Sequence, residues 1–237
     1  MSDLFEVIHE DEELLVISKP AGLVCHPTKT DERSSLIGRV RLYLGSDAGR
    51  LVNRLDRETS GLVLVAKSGP VAGELGKLIE GSAIRKEYVA IVHGTMASEE
   101  LTIEAPLGKD TRSVVAIRDT VLADGAPART RVQGRGQFTR EGKVFSSLQV
   151  FPVTGRKHQI RIHLAHIGHP IVGDKLYGLD ENIYLRFVQG QMTEDDHRLM
   201  ILSNHALHAT ALTFQWRGKD WKFNAEPGAE FQNFLQG

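Results

Sequence analysis

One cysteine, Cys25, stands in the whole chain of 237 residues. An intrachain disulfide and a cysteine-rich zinc cluster are therefore excluded. The thiol reads as a small buried or half-buried group. No apolar run approaches the roughly 20 residues of a membrane span. The first residues, Met1-Ser2-Asp3-Leu4-Phe5-Glu6, lack the basic and apolar regions of a secretory signal. A reducing cytoplasm is the expected compartment. An excess of charge of one sign is missing as well: the formal net charge is -1, which argues against a protein that coats nucleic acid indiscriminately. There is no Gly-x-x-x-x-Gly-Lys-Ser/Thr phosphate loop and no Gly-x-Ser-x-Gly nucleophile elbow. Repeats, low-complexity tracts and clear linkers are also missing, so one domain over 1–237 is the economical reading.

What is present is local basicity and strong apolar patterning. Arg33, Arg39, Arg41, Arg50, Arg54 and Arg57 crowd one stretch; Arg156, Lys157, Arg161 and Lys175 crowd another. A basic cleft fits a neutral chain arranged this way. Leu14 to Ser18 and Gly61 to Ala66 read as buried strands. Ser34 to Leu44 and Pro70 to Ile79 read as helices, the latter with Ser68 as N-cap. Lys86 to His93 reads as a strand, and Leu101 to Val153 as several strands with Gly-rich turns at Gly134 to Gly136 and Glu141-Gly142. Lys157 to Ile167 reads as a helix stopped by Gly168. Leu207 to Trp216 and Trp221 to Phe223 read as a hairpin, and Pro227 to Leu235 as a short helix. Gly178 to Ser203 is the least patterned segment and reads as a long loop with a helical turn. The expected class is α/β (α+β): a mixed, mostly antiparallel sheet with flanking helices.

The segment Asn53-Arg54-Leu55-Asp56-Arg57-Glu58-Thr59-Ser60-Gly61 places one carboxylate between two arginines, just before a buried strand. Neighbouring positive charge favours the ionised acid. Asp56 is then a poor proton donor but a usable nucleophile or electrostatic anchor. Arg54 and Arg57 suit a phosphate or a nucleobase. A second constellation is Thr154-Gly155-Arg156-Lys157-His158-Gln159-Ile160-Arg161-Ile162-His163-Leu164. On a helix from Lys157, Arg156 and Lys157 lie at its N-terminus, where amides and cations attract an anion. Arg161 falls off the apolar stripe beside His158. Taken alone, such charges are more often a solvated helix face. Histidines 158, 163, 166 and 169 lack the spacing of a zinc helix. In Arg85-Lys86-Glu87-Tyr88, Tyr88 reads as a core aromatic, with a stacking platform for a base as the functional alternative.

Six motifs in order carry a resemblance over nearly the whole chain. They are Lys19-Pro20-Ala21-Gly22-Leu23-Val24, the Asp56 segment, Arg85-Lys86-Glu87-Tyr88, Gly155 to Leu164, Pro170-Ile171-Val172-Gly173-Asp174-Lys175-Leu176-Tyr177-Gly178, and Leu207-His208-Ala209-Thr210-Ala211-Leu212. In this order they resemble RluA-type pseudouridine synthases. The resemblance implies that family's fold around a central RNA cleft. It also implies isomerisation of uridine to pseudouridine in RNA, with neither metal nor organic cofactor. By position, Asp56 is the nucleophile, Tyr88 stacks on the uracil, and Arg161 pairs with Asp56 and keeps it ionised. Arg54 enters the helix that the flipped base leaves, with Arg57, Arg156, Lys157 and His158 as further RNA contacts. The Leu207–Leu212 strand offers an aliphatic pocket wall. The family usually has His where this chain has Asn53, and Asn still donates and accepts hydrogen bonds. Many relatives carry a small RNA-binding domain before the catalytic one. The expectation here is the catalytic domain alone, a monomer acting on a stem-loop of transfer or ribosomal RNA.

Overall fold

A computed structural model describes residues 5–27, 34–96 and 99–236. Arg33, one of the arginines grouped above, lies outside the described residues. The described residues form two compact units. One comprises residues up to Glu87 together with His208–Gly228; the other comprises Tyr88–Leu207 with the residues after Gly228.

In the first unit, β1 (Glu6–Glu10), β2 (Leu14–Lys19) and β4 (Ser60–Ala66) pair antiparallel in sequence order of neighbours. The short β3 (Arg50–Leu51) adds to β4. β11 (Leu207–Trp216) runs parallel to β4, with His208 opposite Ser60 and Ala209 opposite Gly61. β12 (Lys219–Asn224) returns along β11. The turn between them uses Arg217 and Gly218, both at positive φ. Two such residues match the twist of the flanking strands. β2 and β4 read as unbroken apolar runs because both are buried almost throughout. Helix α1 (Leu36–Leu44) is capped by Ser35, whose Oγ accepts from the Gly38 amide. α2 (Gly69–Glu80) lays Val71 and Leu75 against Leu14, Val16, Leu62, Leu64, Phe214 and Trp216.

In the second unit, β5 (Arg85–His93) enters beside β10 (Lys143–Pro152), which pairs with β9 (Arg129–Arg140), which pairs with β6 (Glu100–Glu104). All three pairings are antiparallel. β7 (Leu107–Lys109) and β8 (Asp119–Val121) make a separate ribbon. Glu141-Gly142 is a hairpin turn as the sequence predicts, with both residues at positive φ. Gly134 to Gly136 is not a turn. It lies inside β9, where the register slips between Ser147 and Leu148, so these glycines mark a bulge. Helix α3 spans Gln159–His166. The segment expected to be a loop, Gly178 to Ser203, holds two helices, α4 (Asn182–Gln189) and α5 (Glu194–Met200). Thr193 and Asp196 cap α5 reciprocally, and Arg186 binds Asp196 through Nε at 2.7 Å. α6 (Ala229–Gln236) brings Phe234 against Phe138 and Phe145. The fold is thus mixed α+β with mostly antiparallel pairing. Among the described residues no helix is long and apolar enough to cross a membrane.

Candidate active site

The Asp56 loop begins where β3 leaves β4. The Val52 amide still donates to Leu64 O at 2.8 Å. Beyond it the side chain of Asn53 takes over the pairing. Its Oδ1 accepts from the Leu64 amide at 2.8 Å, and its Nδ2 donates to Leu62 O at 3.2 Å. The carboxamide therefore extends the ladder by one step while the main chain turns away. This gives Asn53 a structural role in the loop.

The two neighbours of Asp56 are held from beneath. Leu55 is buried, and the Cys25 thiol contacts both of its backbone polar groups at 3.3 Å, accepting from the amide and donating to the carbonyl. Arg57 O accepts from Lys19 Nζ at 3.1 Å. The same ammonium donates to Pro20 O and Leu23 O at 2.8 Å each. Lys19 is fully buried. Burial brings its pKa down to about 8, a drop that Cys25 and Asp56 oppose. A buried ammonium satisfied by three carbonyls is an anchor, and it adds a third positive charge near Asp56 besides Arg54 and Arg57. Asp56 itself is half-buried between the exposed Arg54 and Arg57. The Arg57 guanidinium turns back, with Nε donating to Gly22 O at 3.1 Å.

The loop ends as firmly as it begins. His208 Nε2 donates to Ala225 O at 3.1 Å, so Nδ1 is the acceptor for the Ser60 hydroxyl at 2.8 Å. Burial lowers the His208 pKa to about 4, which keeps the ring neutral. Gly61 has φ 109°, and a Cβ there would lie 2.3 Å from Ala209 O. Only glycine fits this crossing.

In the second unit, Tyr88 is buried on β5, opposite Val150 of β10. Arg161 is not the solvated helix charge that its type alone favours. Its side chain is 9% exposed and holds Asp174, which is fully buried, in a two-pronged contact. Nε donates to Oδ2 at 2.7 Å and Nη2 to Oδ1 at 2.8 Å. Oδ1 also accepts the amides of Leu176 and Tyr177 at 2.9 Å. Burial alone would raise the Asp174 carboxyl, but the Arg161 charge and these hydrogen bonds hold it well below the usual carboxylate range. The Tyr177 ring lies 5.0 Å from the Arg161 Cζ. Its hydroxyl accepts from the Asp119 amide at 3.1 Å and meets His158 Nδ1 at 2.9 Å.

Helix α3 starts two residues later than the sequence predicts. His158 sits at φ 54°, outside the helical region, and precedes Gln159 as the N-cap. Arg156 and Lys157 are therefore not on the helix. Both remain exposed, with Arg156 Nε donating to Pro127 O at 3.1 Å and Lys157 Nζ to Ile117 O at 2.7 Å. Gln159 does the work of closing this loop. Its Oε1 accepts from the Arg156 amide and from Thr154 Oγ1. His163 is buried between Thr130 Oγ1 and Ala105 O, and His169 donates to His93 O. Among the described residues no three His, Cys, Asp or Glu side chains gather as a metal ion would need.

Arg54, Asp56 and Arg57 thus share one clamped loop, while His158, Arg161 and Tyr177 share one polar cluster. Sequence reasoning assigned no role to Lys19, Asn53 in its ladder, Asp174 or Tyr177. The available signal was their place in the recurring motifs: a lysine before Pro-Ala-Gly, and an acid between Gly173 and Gly178.

A family model described as RNA pseudouridylate synthase matches residues 13–166, which include Asp56, Tyr88 and Arg161. The chain is 35% identical over 178 residues to a "Ribosomal large subunit pseudouridine synthase D" of Nitrosomonas europaea, covering 73% of this chain and 49% of that protein. It is 35% identical over 209 residues to a "Ribosomal large subunit pseudouridine synthase C" of Yersinia pestis, covering 88% of this chain and 61% of that one. The chain therefore spans about half the length of the first and somewhat more of the second. In fold it is similar to human "RNA Pseudouridylate Synthase Domain Containing 1", with a TM-score of 0.75, 22% identity, and coverage of 94% and 83% of the two chains. The match across residues 13–166 places this chain in the RNA pseudouridylate synthase family.

Proposed function

We propose that this chain, as a single catalytic domain, isomerises uridine to pseudouridine in a structured RNA. The observation that carries the reading is the Asp56 loop. It lies within the family match, the side chains of Cys25 and Lys19 hold the backbone on either side of Asp56, and the loop's own Asn53 ties its start to β4. A half-exposed carboxylate on so constrained a loop is the group expected to attack. In the reaction the N1–C1′ bond of uridine breaks and a C5–C1′ bond forms. The C5 proton leaves to solvent and N1 gains a proton, so the atoms balance without a co-reactant. Asp56 serves as the nucleophile, Tyr88 as the ring that stacks on the uracil, and Arg161 as the cation that keeps Asp56 ionised. Arg54, Arg57, Arg156, Lys157 and His158 contact RNA. All but His158 are exposed, and in this reading Arg54 fills the space of the flipped base.

Two relatives are named for the large ribosomal subunit, which favours ribosomal over transfer RNA as substrate. The protein acts as a monomer in the cytoplasm under this reading. Mapping pseudouridines in both RNA classes, with and without this chain in its host, tests it. One or more ribosomal positions should lose the modification. An unchanged map in both classes would leave a silent RNA-binding protein as the better account.

A further inference from the structure

We propose that Asp174 and Tyr177 are positioning residues that fix the guanidinium of Arg161 for catalysis. The inference rests on the reading of Arg161 as a working cation of the synthase, and it adds two residues beyond the family match at 13–166.

A guanidinium can turn in its own plane and tilt out of it. The two-pronged carboxylate removes the first freedom, since Nε and Nη2 each have their own oxygen. The Tyr177 ring, 5.0 Å from Cζ, opposes the second. Asp174 is itself held by the amides of Leu176 and Tyr177. The turn that carries it is packed too closely for a side chain at either of its glycines. A Cβ at Gly178 would lie 2.0 Å from Asp174 O, and one at Gly173, where φ is 80°, would lie 2.6 Å from Asn204 O. Segment 170–173 is in turn pinned to β5, with the His93 amide donating to Pro170 O and the Val172 amide donating to Ile91 O. Two of the five guanidinium N–H groups are committed to Asp174, so Asp174 sets the direction of the remaining fork. Stability alone does not explain such a construction, because a buried ion pair is often no better than well-packed apolar residues. Orientation does explain it, since small misplacements of a catalytic group cost large factors in rate.

The test uses release of tritium from RNA carrying [5-³H]uridine, read as a single-turnover rate alongside RNA affinity. Wild-type release, lost in Asp56→Asn, is the readout of the synthase reading itself. Asp174→Asn should slow the step by about 100-fold with affinity nearly unchanged. Should Asp174→Asn fail to fold, the Tyr177 pair decides. Tyr177→Leu removes the ring and should cost about tenfold, while Tyr177→Phe, which keeps the ring but gives up the hydroxyl contacts to His158 and the Asp119 amide, should lose clearly less rate than Tyr177→Leu. Equal rates in the two Tyr177 variants would overturn the proposal. So would a full rate in folded Asp174→Asn, or a loss that appears in RNA affinity instead of rate. A wild-type chain that releases no tritium sinks the synthase reading and this inference together, whereas full release in Asp174→Asn and Tyr177→Leu sinks only this inference.

Discussion

Gly61→Ala tests whether the loop carrying Asp56 is held as tightly as its geometry implies. The added Cβ would meet Ala209 at 2.3 Å from O, 2.6 Å from N and 2.8 Å from C. All three are backbone atoms of a strand paired on β12, so no side chain can swing aside. Alanine at φ 109° also leaves the region that L residues favour. Backbone strain of this kind costs about 1–3 kcal/mol, and overpacking adds about 1–3 kcal/mol. A total near 2–6 kcal/mol corresponds to a melting temperature lower by roughly 4–24 °C for a chain of this size. Relief requires the start of β4 to move away from β11 by about an ångström, which also strains the Ser60–His208 contact. Because Asp56 lies five residues earlier, the turnover rate should fall by about 100-fold. Thermal melting and tritium release, measured on the same preparation, check both effects. A melting temperature and rate within error of wild type would refute the claim that this crossing positions the loop. Stability lost with the rate retained would show that the crossing matters for folding alone.

Two further outcomes follow from the same loop. For Lys19, the drop from 10.5 to about 8 means that between those pH values the unfolded chain binds a proton that the folded chain lacks. Stability of wild type relative to Lys19→Met should therefore be flat below pH 8 and rise above it, by up to about 3 kcal/mol. Denaturant titrations at several pH values check this, and a difference that stays constant to pH 10 contradicts the buried ammonium. Asn53→Ala leaves the Leu64 amide and Leu62 O without their side-chain partner and should cost about 1–3 kcal/mol, with a slower reaction. An unchanged melting temperature would mean that the carboxamide does not carry the ladder past Val52.

The parts of the fold that were legible in the sequence are those set by local pattern. Leu14–Ile17 and Leu62–Ala66 are uninterrupted apolar runs because both strands are covered on both faces. Glu141-Gly142 is readable as a turn because Gly142 suits positive φ. Gly134 to Gly136 looked the same but sits in a bulge, and only the partner strand β10 distinguishes the two. Helices α4 and α5 are hard to read because they are eight and seven residues long; α5 rests on the Thr193 cap and the Arg186–Asp196 pair, while the apolar face of α4, Ile183 with Tyr184 and Leu185, finds its cover only in residues distant in the chain. The start of α3 was misplaced because nothing in Lys157-His158 announces a left-handed histidine. In the site, Asp56 stood out through charge in a short segment. Lys19 and Arg161 did not reveal their burial, since long cations are normally solvated and their partners lie elsewhere in the chain. Asp174 is 13 residues from Arg161, and Arg57 O is 38 from Lys19. Such pairings exist only once the backbone has folded.

The most direct test of the central claim is tritium release from ribosomal RNA labelled at uridine C5, comparing the wild-type chain with Asp56→Asn. The account predicts release by wild type that tracks pseudouridine formation one for one, and none above background from a folded Asp56→Asn variant that still binds the RNA. Release by Asp56→Asn at the wild-type rate would contradict it.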